Sequence, residues 1–307
     1  MSTHADHVAG AARPSPVRIW LLAARLRTLP VGLAPVLVGG ALAQHQDAFR
    51  ALPFLAALLG ALFIQVGANL SNDYSDARRG ADADDRLGPL RVTAGGLVPP
   101  RQVLVAIWVS FGAAVLCGAY LIAEVGWPIL AIGVASIVAG VLYTGGPRPY
   151  GYDGLGEPFA FTFFGPVAVA GTHYAVVESF DATAVLLGVP VGLLAAAVLV
   201  VNNVRDIDTD RRAGKRTLAV RLGRPATRGV YAGAIVAAYV GTVVLGIADG
   251  DLSPWTALVL VSAPLAVRLV TTVRTRVDGP GLNAALAGTG QLELAFCVLL
   301  SAAILLG

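Results

Sequence analysis

Two stretches of this chain repeat amide and acidic side chains at helical spacing. They are Asn72, Asp73 and Asp76 in GANLSNDYSDARRGADADD, and Asn202, Asp206 and Asp210 in VNNVRDIDTDRRAGKR. Four residues advance an α-helix by about 400°, so Asn72 and Asp76 share one face, as do Asn202, Asp206 and Asp210, while Asp73 and Asp208 point elsewhere. Two carboxylates about 4 Å apart repel by roughly 4 kcal/mol at an effective dielectric of about 20, so a cation must sit between such faces. Oxygen donors suit a hard ion, and Mg²⁺ commonly takes one or two carboxylates while water and substrate phosphates fill its other positions. The chemistry that fits is diphosphate binding through Mg²⁺. Arg78, Arg79, Arg91, Arg211, Arg212, Lys215 and Arg216 lie close enough in sequence to neutralise phosphate oxygens that the metal does not reach. Asp84, Asp85 and Asp208 read instead as solvated or ion-paired. The plainer alternative makes every one of these acids an arginine partner on a solvated helix end. It loses ground because two equivalent faces occur on the same side of the molecule.

The elements that carry these faces belong in lipid. Of 307 residues 56% are hydrophobic and 13% charged, against about 25% charged in soluble domains. The 36 glycines suit membrane bundles, where small residues let helix backbones approach closely. Apolar runs near 20–44, 51–72, 101–123, 127–144, 158–178, 183–204, 228–248, 253–273 and 283–306 predict nine crossings. The expected fold class is therefore an all-α integral membrane bundle, its nine transmembrane helices surrounding a central intramembrane cavity under cytoplasmic cap loops. Residues 1–16 are expected as a flexible cytoplasmic arm, and 17–307 as one domain. The arm is polar and no short apolar region with a cleavage site follows it, so the first span reads as an uncleaved insertion signal.

Nine crossings place 21 of the 22 Lys and Arg residues on one face or its flanks, with Arg50 alone opposite. Positive loops stay cytoplasmic, which puts the N-terminus and the acidic segments in the cytoplasm and the C-terminus outside. The pI near 9.1 thus reflects topology and implies no nucleic acid. Cys117 and Cys297 sit in apolar runs and read as core.

With these residues in view, the chain resembles the UbiA superfamily of intramembrane aromatic prenyltransferases, which have nine helices and two Asp-rich motifs. The first motif, NDxxDxxxD, is matched at Asn72, Asp73 and Asp76 but has Gly80 at its last position, with Asp82 two residues on. The NDYxDxxxGxD form, the GPLR that follows and NNVRDIDTDRRAGK are similar to the branch that prenylates 1,4-dihydroxy-2-naphthoate in menaquinone synthesis. The resemblance implies metal ligands at Asp73, Asp76, Asp82, Asp206 and Asp210, with Asp76 and Asp206 catalytic, and diphosphate contacts from Asn72, Arg79, Arg91, Asn202 and Lys215. A third segment, YTGGPRPYGYDGLGEP, offers a glycine-rich loop able to approach a ligand closely. It resembles the naphthoate enzymes rather than the hydroxybenzoate ones, with Tyr143 as a catalytic candidate and Arg148 and Glu157 on the acceptor side.

The resemblance further implies Mg²⁺, a polyprenyl diphosphate donor, surrounding membrane lipid, and a reaction that ionises the donor, prenylates the naphthoate and releases carbon dioxide and diphosphate. No protein partner is inferred. Phe63, Phe161, Phe163 and Tyr143 are candidates to shield a prenyl cation. Another aromatic acceptor, 4-hydroxybenzoate or homogentisate, is the nearest alternative. An ion-coupled transporter is a more distant one; Glu293 in the last span fits it best, but the acidic faces lie at one surface and their repeat is parallel rather than inverted.

Overall fold

A computed structural model describes residues 15–80, 87–88, 91–249 and 252–307. Asp82, Asp84, Asp85 and nearly all of the N-terminal arm lie outside them. The helices are α1 (Pro16–Ala24), α2 (Leu29–His45), α3 (Ala51–Arg78), α4 (Pro100–Val125), α5 (Pro128–Leu142), α6 (Gly156–Thr162), α7 (Ala168–Val177), α8 (Ala182–Arg212), α9 (Leu218–Leu222), α10 (Arg224–Ala248), α11 (Ala263–Thr275) and α12 (Gly279–Leu306). The described residues contain no strand.

Proline and side-chain caps mark many of the starts. Ser15 caps α1 ahead of Pro16, Pro100 and Pro128 open α4 and α5, and Asp181 and Asp278 accept the Thr183 and Gly281 amides, each at 2.7 Å. Three expected runs are interrupted. The first breaks at Arg25, whose backbone is left-handed (φ 55°), and a 3₁₀ turn before α2. The run 158–178 divides into α6, a π-helical turn at Phe163–Val167 that contains Pro166, and α7. The run 253–273 opens as a 3₁₀ segment, Pro254–Ser262, before α11.

Among the described residues eight stretches are long and apolar enough to cross a membrane, and α5, at 15 residues, is shorter. Its rise is about 22 Å, below the roughly 30 Å of a hydrocarbon core. Its neighbours fix its two ends. It begins three residues after α4 stops, at the end where Arg50 pairs with Glu124 (3.9 Å) and Glu178. It finishes beside the first acidic segment, where Thr144 donates to Asn72 Oδ1 at 3.0 Å.

The central post is α8, most of whose apolar length is buried, whereas little of α3 is. Leu187, Val191, Leu194 and Val201 of α8 pack with Leu42, Tyr231, Leu282, Phe296 and Leu300 in the main core. Its tightest approach is glycine to glycine. A Cβ on Gly165 of the π-helical turn would fall 2.4 Å from Gly188 O and 2.5 Å from Gly192 Cα, so only hydrogen side chains allow the two backbones to meet.

Candidate active site

The last turns of α3 and α8 line one cavity at the same end of the bundle, each helix stopped by a left-handed glycine, Gly80 (φ 63°) and Gly214 (φ 74°). Aligning Asn72 and Asp76 with Asn202 and Asp206 sets Gly80 opposite Asp210. The first motif lacks its final acid there because α3 stops one turn earlier than α8. Asn72, Asp76, Asn202, Asp206 and Asp210 all line a cavity of about 450 Å³, together with Arg91, Lys215 and Tyr143.

Both pivotal carboxylates are buried and partnered. Asp76, 2% exposed, accepts from Tyr152 Oη at 2.6 Å and from Arg91 Nη2 at 2.7 Å. Asp206 takes a two-pronged pair from Arg205, Nε at 2.8 Å and Nη2 at 2.6 Å. Arg205 is itself 1% exposed; it also donates to Asn202 Oδ1 (2.8 Å) and to Asn283 Oδ1 of α12 (2.7 Å). Asn283 in turn donates to Leu87 O at 2.8 Å, which joins the loop after α3 to the second motif. Removing one partner of a buried pair is far more costly than losing a surface pair, so Arg205 fixes where Asp206 and Asn202 can point. Lys215 Nζ stands 3.7 Å from Asp210 Oδ1 and 4.6 Å from the centre of the Tyr152 ring. Tyr152 therefore bridges the two motifs: its hydroxyl serves the first and its ring faces the lysine of the second.

Several expected residues stand elsewhere. Asp73, expected as a metal ligand, does not line the cavity. Its two oxygens accept the Val92 and Thr93 amides at 3.0 and 2.9 Å, fixing the turn that follows Arg91. Its helical position predicts as much, since it lies off the Asn72–Asp76 face. Arg79 is exposed, bonds Gly146 O and lies 5.8 Å from the Tyr152 ring centre, outside the cavity lining. Arg148 is exposed on the connecting loop, also off the lining. Asp208 is exposed and pairs with Arg224 at 2.8 Å, the solvated role expected of it.

Glu157 is buried behind the wall, where its Oε1 accepts from Asn203 Nδ2 at 2.8 Å and its Oε2 has no hydrogen-bond partner among the described residues. Glu293 is fully buried, with neither oxygen partnered among them and no place on the cavity wall. Of the four aromatic candidates, Tyr143 and Phe163 line the cavity and Phe63 and Phe161 do not. The actual aromatic wall is a ladder in which Tyr143 meets Tyr150 edge-on at 5.6 Å, Tyr150 stacks on Phe159 at 4.0 Å, and Phe159 on Phe163 at 5.9 Å. Tyr152, Arg205, Asn283 and Arg25, which also lines the cavity, were missed from sequence.

The donor set at the meeting point is all oxygen and suits a hard cation. Among the described residues no three His, Cys, Asp or Glu side chains cluster as an all-protein metal site. One end of the cavity is thus charged and the rest apolar, a shape for an amphiphile with an anionic head.

The sequence matches the model of the UbiA prenyltransferase family over residues 32–305. A 1,4-dihydroxy-2-naphthoate octaprenyltransferase of Mycobacterium tuberculosis is 43% identical, covering 94% of this chain and 97% of the relative. That of Escherichia coli is 38% identical over 86% and 87% of the two chains. In fold the chain is similar to a UbiA homolog from Aeropyrum pernix (TM-score 0.65, 16% identity, covering 91% of this chain and 97% of the other). It is also similar to one from Archaeoglobus fulgidus solved with DMAPP and Mg²⁺ (TM-score 0.63, 15% identity, covering 93% and 98%).

Proposed function

Because the chain belongs to the UbiA prenyltransferase family, we infer that it is an integral membrane enzyme that transfers a polyprenyl group from its diphosphate to 1,4-dihydroxy-2-naphthoate, releasing diphosphate and carbon dioxide and giving demethylmenaquinol, the reduced form of demethylmenaquinone. The observation that carries this reading is the convergence of Asp76 and Asp206, each with its amide one turn earlier, at the charged end of an apolar cavity. Asn72, Asp76, Asn202, Asp206 and Asp210 would hold Mg²⁺ and the donor's diphosphate between them. Bound there, the ion would stabilise the charge that grows on the diphosphate as the allylic C–O bond breaks.

The chain's own groups set the geometry of that step. Arg91 and Lys215, each now paired with an aspartate, are placed to turn to phosphate oxygens when the donor enters. Arg205 stays on Asp206, since Asn283 anchors it from the other side. The breaking C–O bond leaves its electron pair with diphosphate, and the allylic carbon faces the Tyr143–Tyr150–Phe159–Phe163 ladder, whose ring faces favour positive charge. The ring carbon that bears the carboxylate forms the new C–C bond, and that carboxylate departs as carbon dioxide, returning its bonding pair to the ring. The apolar length of the cavity takes the prenyl tail and excludes water that would trap the cation.

We further propose that α5 crosses with the eight longer stretches, nine in all, so that the acidic motifs face the cytoplasm. Purified protein given octaprenyl diphosphate with either dihydroxynaphthoate or 4-hydroxybenzoate tests the reading. Prenylated naphthoate and diphosphate are expected only in the first mixture, abolished by EDTA and restored by Mg²⁺. Product from hydroxybenzoate alone, or turnover indifferent to chelator, would overturn it.

A further inference from the structure

Asn203, the second amide of NNVRD, has no part in the metal face. It lies about 100° round α8 from Asn202, yet it is buried and lines the same cavity. Three residues before Asp206, it stands about 4.5 Å further from the charged end. Leu199, one turn before it, also lines the cavity. A Cβ on Gly156 would fall 2.9 Å from Leu199 Cδ2, 3.2 Å from Tyr143 Cε2 and 3.7 Å from Tyr143 Oη. A glycine there lets the first ring of the aromatic ladder close on α8 within a turn of Asn203. The amide itself is held in one orientation. Its Nδ2 donates to Glu157 Oε1 at 2.8 Å. A carboxylate oxygen only accepts, so the nitrogen faces Glu157 and the carbonyl Oδ1 turns away from it. That Oδ1 has no hydrogen-bond partner among the described residues. Glu157 is buried off the cavity wall, with its Oε2 unpartnered among them. An acid so placed is a costly way to join α6 to α8, which apolar contact would do better; what it supplies is the orientation of Asn203.

We infer that Asn203 determines specificity for the aromatic acceptor, its Oδ1 accepting the O–H of one of the two hydroxyls of dihydroxynaphthoate, and that Glu157 is the positioning residue that turns Oδ1 to the ring. The inference rests on the proposed acceptor. A ring with its face on the ladder can still rotate in its own plane. One hydroxyl bonded to α8 stops that rotation and selects which ring carbon meets the allylic carbon. An analogue without that hydroxyl leaves a buried carbonyl oxygen unpaired, which an apolar wall alone would not penalise. Glu157 acts on the acceptor only through Asn203.

The test compares three ligands on the full chain in detergent with octaprenyl diphosphate and Mg²⁺: the diol, and 1-hydroxy-2-naphthoate and 4-hydroxy-2-naphthoate as inhibitors of its prenylation. Asn203→Leu should raise KM for the diol about tenfold, the factor for one lost hydrogen bond, with KM for the donor and the Mg²⁺ requirement unchanged. For the analogue that already lacks the hydroxyl in question, Ki should stay within about twofold of wild type, and for the other it should rise with the diol KM. Equal losses for both analogues, an unchanged diol KM, or a parallel loss with the donor would show at most a structural role and overturn the inference. Glu157→Gln keeps the shape but lets the Asn203 amide face it by either end. It should raise the diol KM about threefold with the same analogue spared, and it carries the comparison alone if Asn203→Leu does not fold. Wild-type behaviour of Glu157→Gln would remove Glu157 from the inference. If the wild-type chain does not prenylate the diol, the acceptor assignment fails and the inference with it; if it does and the analogues lose equally, the inference fails alone.

Discussion

Asp73 and Asp76 sit three residues apart on α3, yet their side chains face different tasks. Asp76 lies on the cavity between Arg91 and Tyr152, while Asp73 holds the backbone from which Arg91 reaches out. Asp76→Asn should therefore lower kcat by about 10²-fold or more, the scale for losing an electrostatic group at a charge-forming centre, and raise the Mg²⁺ concentration needed for half activity. Asp73→Asn should instead raise KM for the donor by about tenfold, the cost of weakening one charge-assisted hydrogen bond, with the Mg²⁺ requirement unchanged. Magnesium titrations at saturating donor check both, and an equal Mg²⁺ shift in the two variants would return Asp73 to the metal. Tyr152→Phe keeps the ring under Lys215 and removes only the hydroxyl from Asp76. It should cost roughly tenfold in kcat/KM, read in the same assay. Spacing alone exposed Asn72, Asp76, Asn202, Asp206 and Asp210, because helix periodicity is a local rule. Arg205 was hidden in plain view, as a cation inside an acidic motif reads as a phosphate or solvent group until burial is known. Asn283 and Tyr152 reach the site from distant segments, and no local pattern marks a side chain whose partners arrive through the fold.

At the scale of elements, composition was enough to predict membrane helices and roughly where they lie, since a run of apolar residues long enough to cross lipid has few alternatives. It did not reveal the breaks at Arg25 and Phe163–Val167. Those depend on which neighbour satisfies the freed backbone groups, and hydropathy carries no such information. The π-helical turn places Phe163 on the cavity wall and brings Gly165 against α8. Gly165→Ala would force a methyl group into Gly188 O and Gly192 Cα, a backbone contact with no flexible side chain to yield. Overpacking of this kind typically costs about 1–3 kcal/mol, so the melting temperature in detergent should fall. Gly241→Ala on α10 meets no atom within 4 Å and should leave the melt unchanged or slightly raised, as Ala is the better helix former by about 1 kcal/mol. Equal melts for the two variants would mean that the contact between the turn and α8 is not close.

For the whole molecule, the parity of the passes decides where each end of the chain emerges. The first described turns lie at the acidic end, where Asn69 of α3 donates to Ala24 O at 3.0 Å and to Thr28 Oγ1 at 3.3 Å. The last residue lies at the other end, since a Cβ on Gly307 would fall 2.3 Å from Ser253 Cβ, four residues from the Asp249 that accepts from Thr183 at the start of α8. Ends on opposite sides require an odd number of crossings, which the proposed crossing of α5 would supply. If α5 stayed at one surface, the two acidic motifs could not meet, because the chain would return from α4 to α8 on the wrong side. Cysteine labelling in intact cells checks this directly, using Cys117→Ser/Cys297→Ser protein with one new cysteine at Ser2 or at Gly307. An impermeant thiol reagent should label the C-terminal site in intact cells and the N-terminal site only after lysis. Labelling of both sites from outside would mean an even number of crossings, and the reverse pattern would turn the active site away from the cytoplasm. Either result would overturn the proposed link between the arginine-rich face and the donor's diphosphate, in which Arg25, Arg91 and Lys215 of that face also line the cavity.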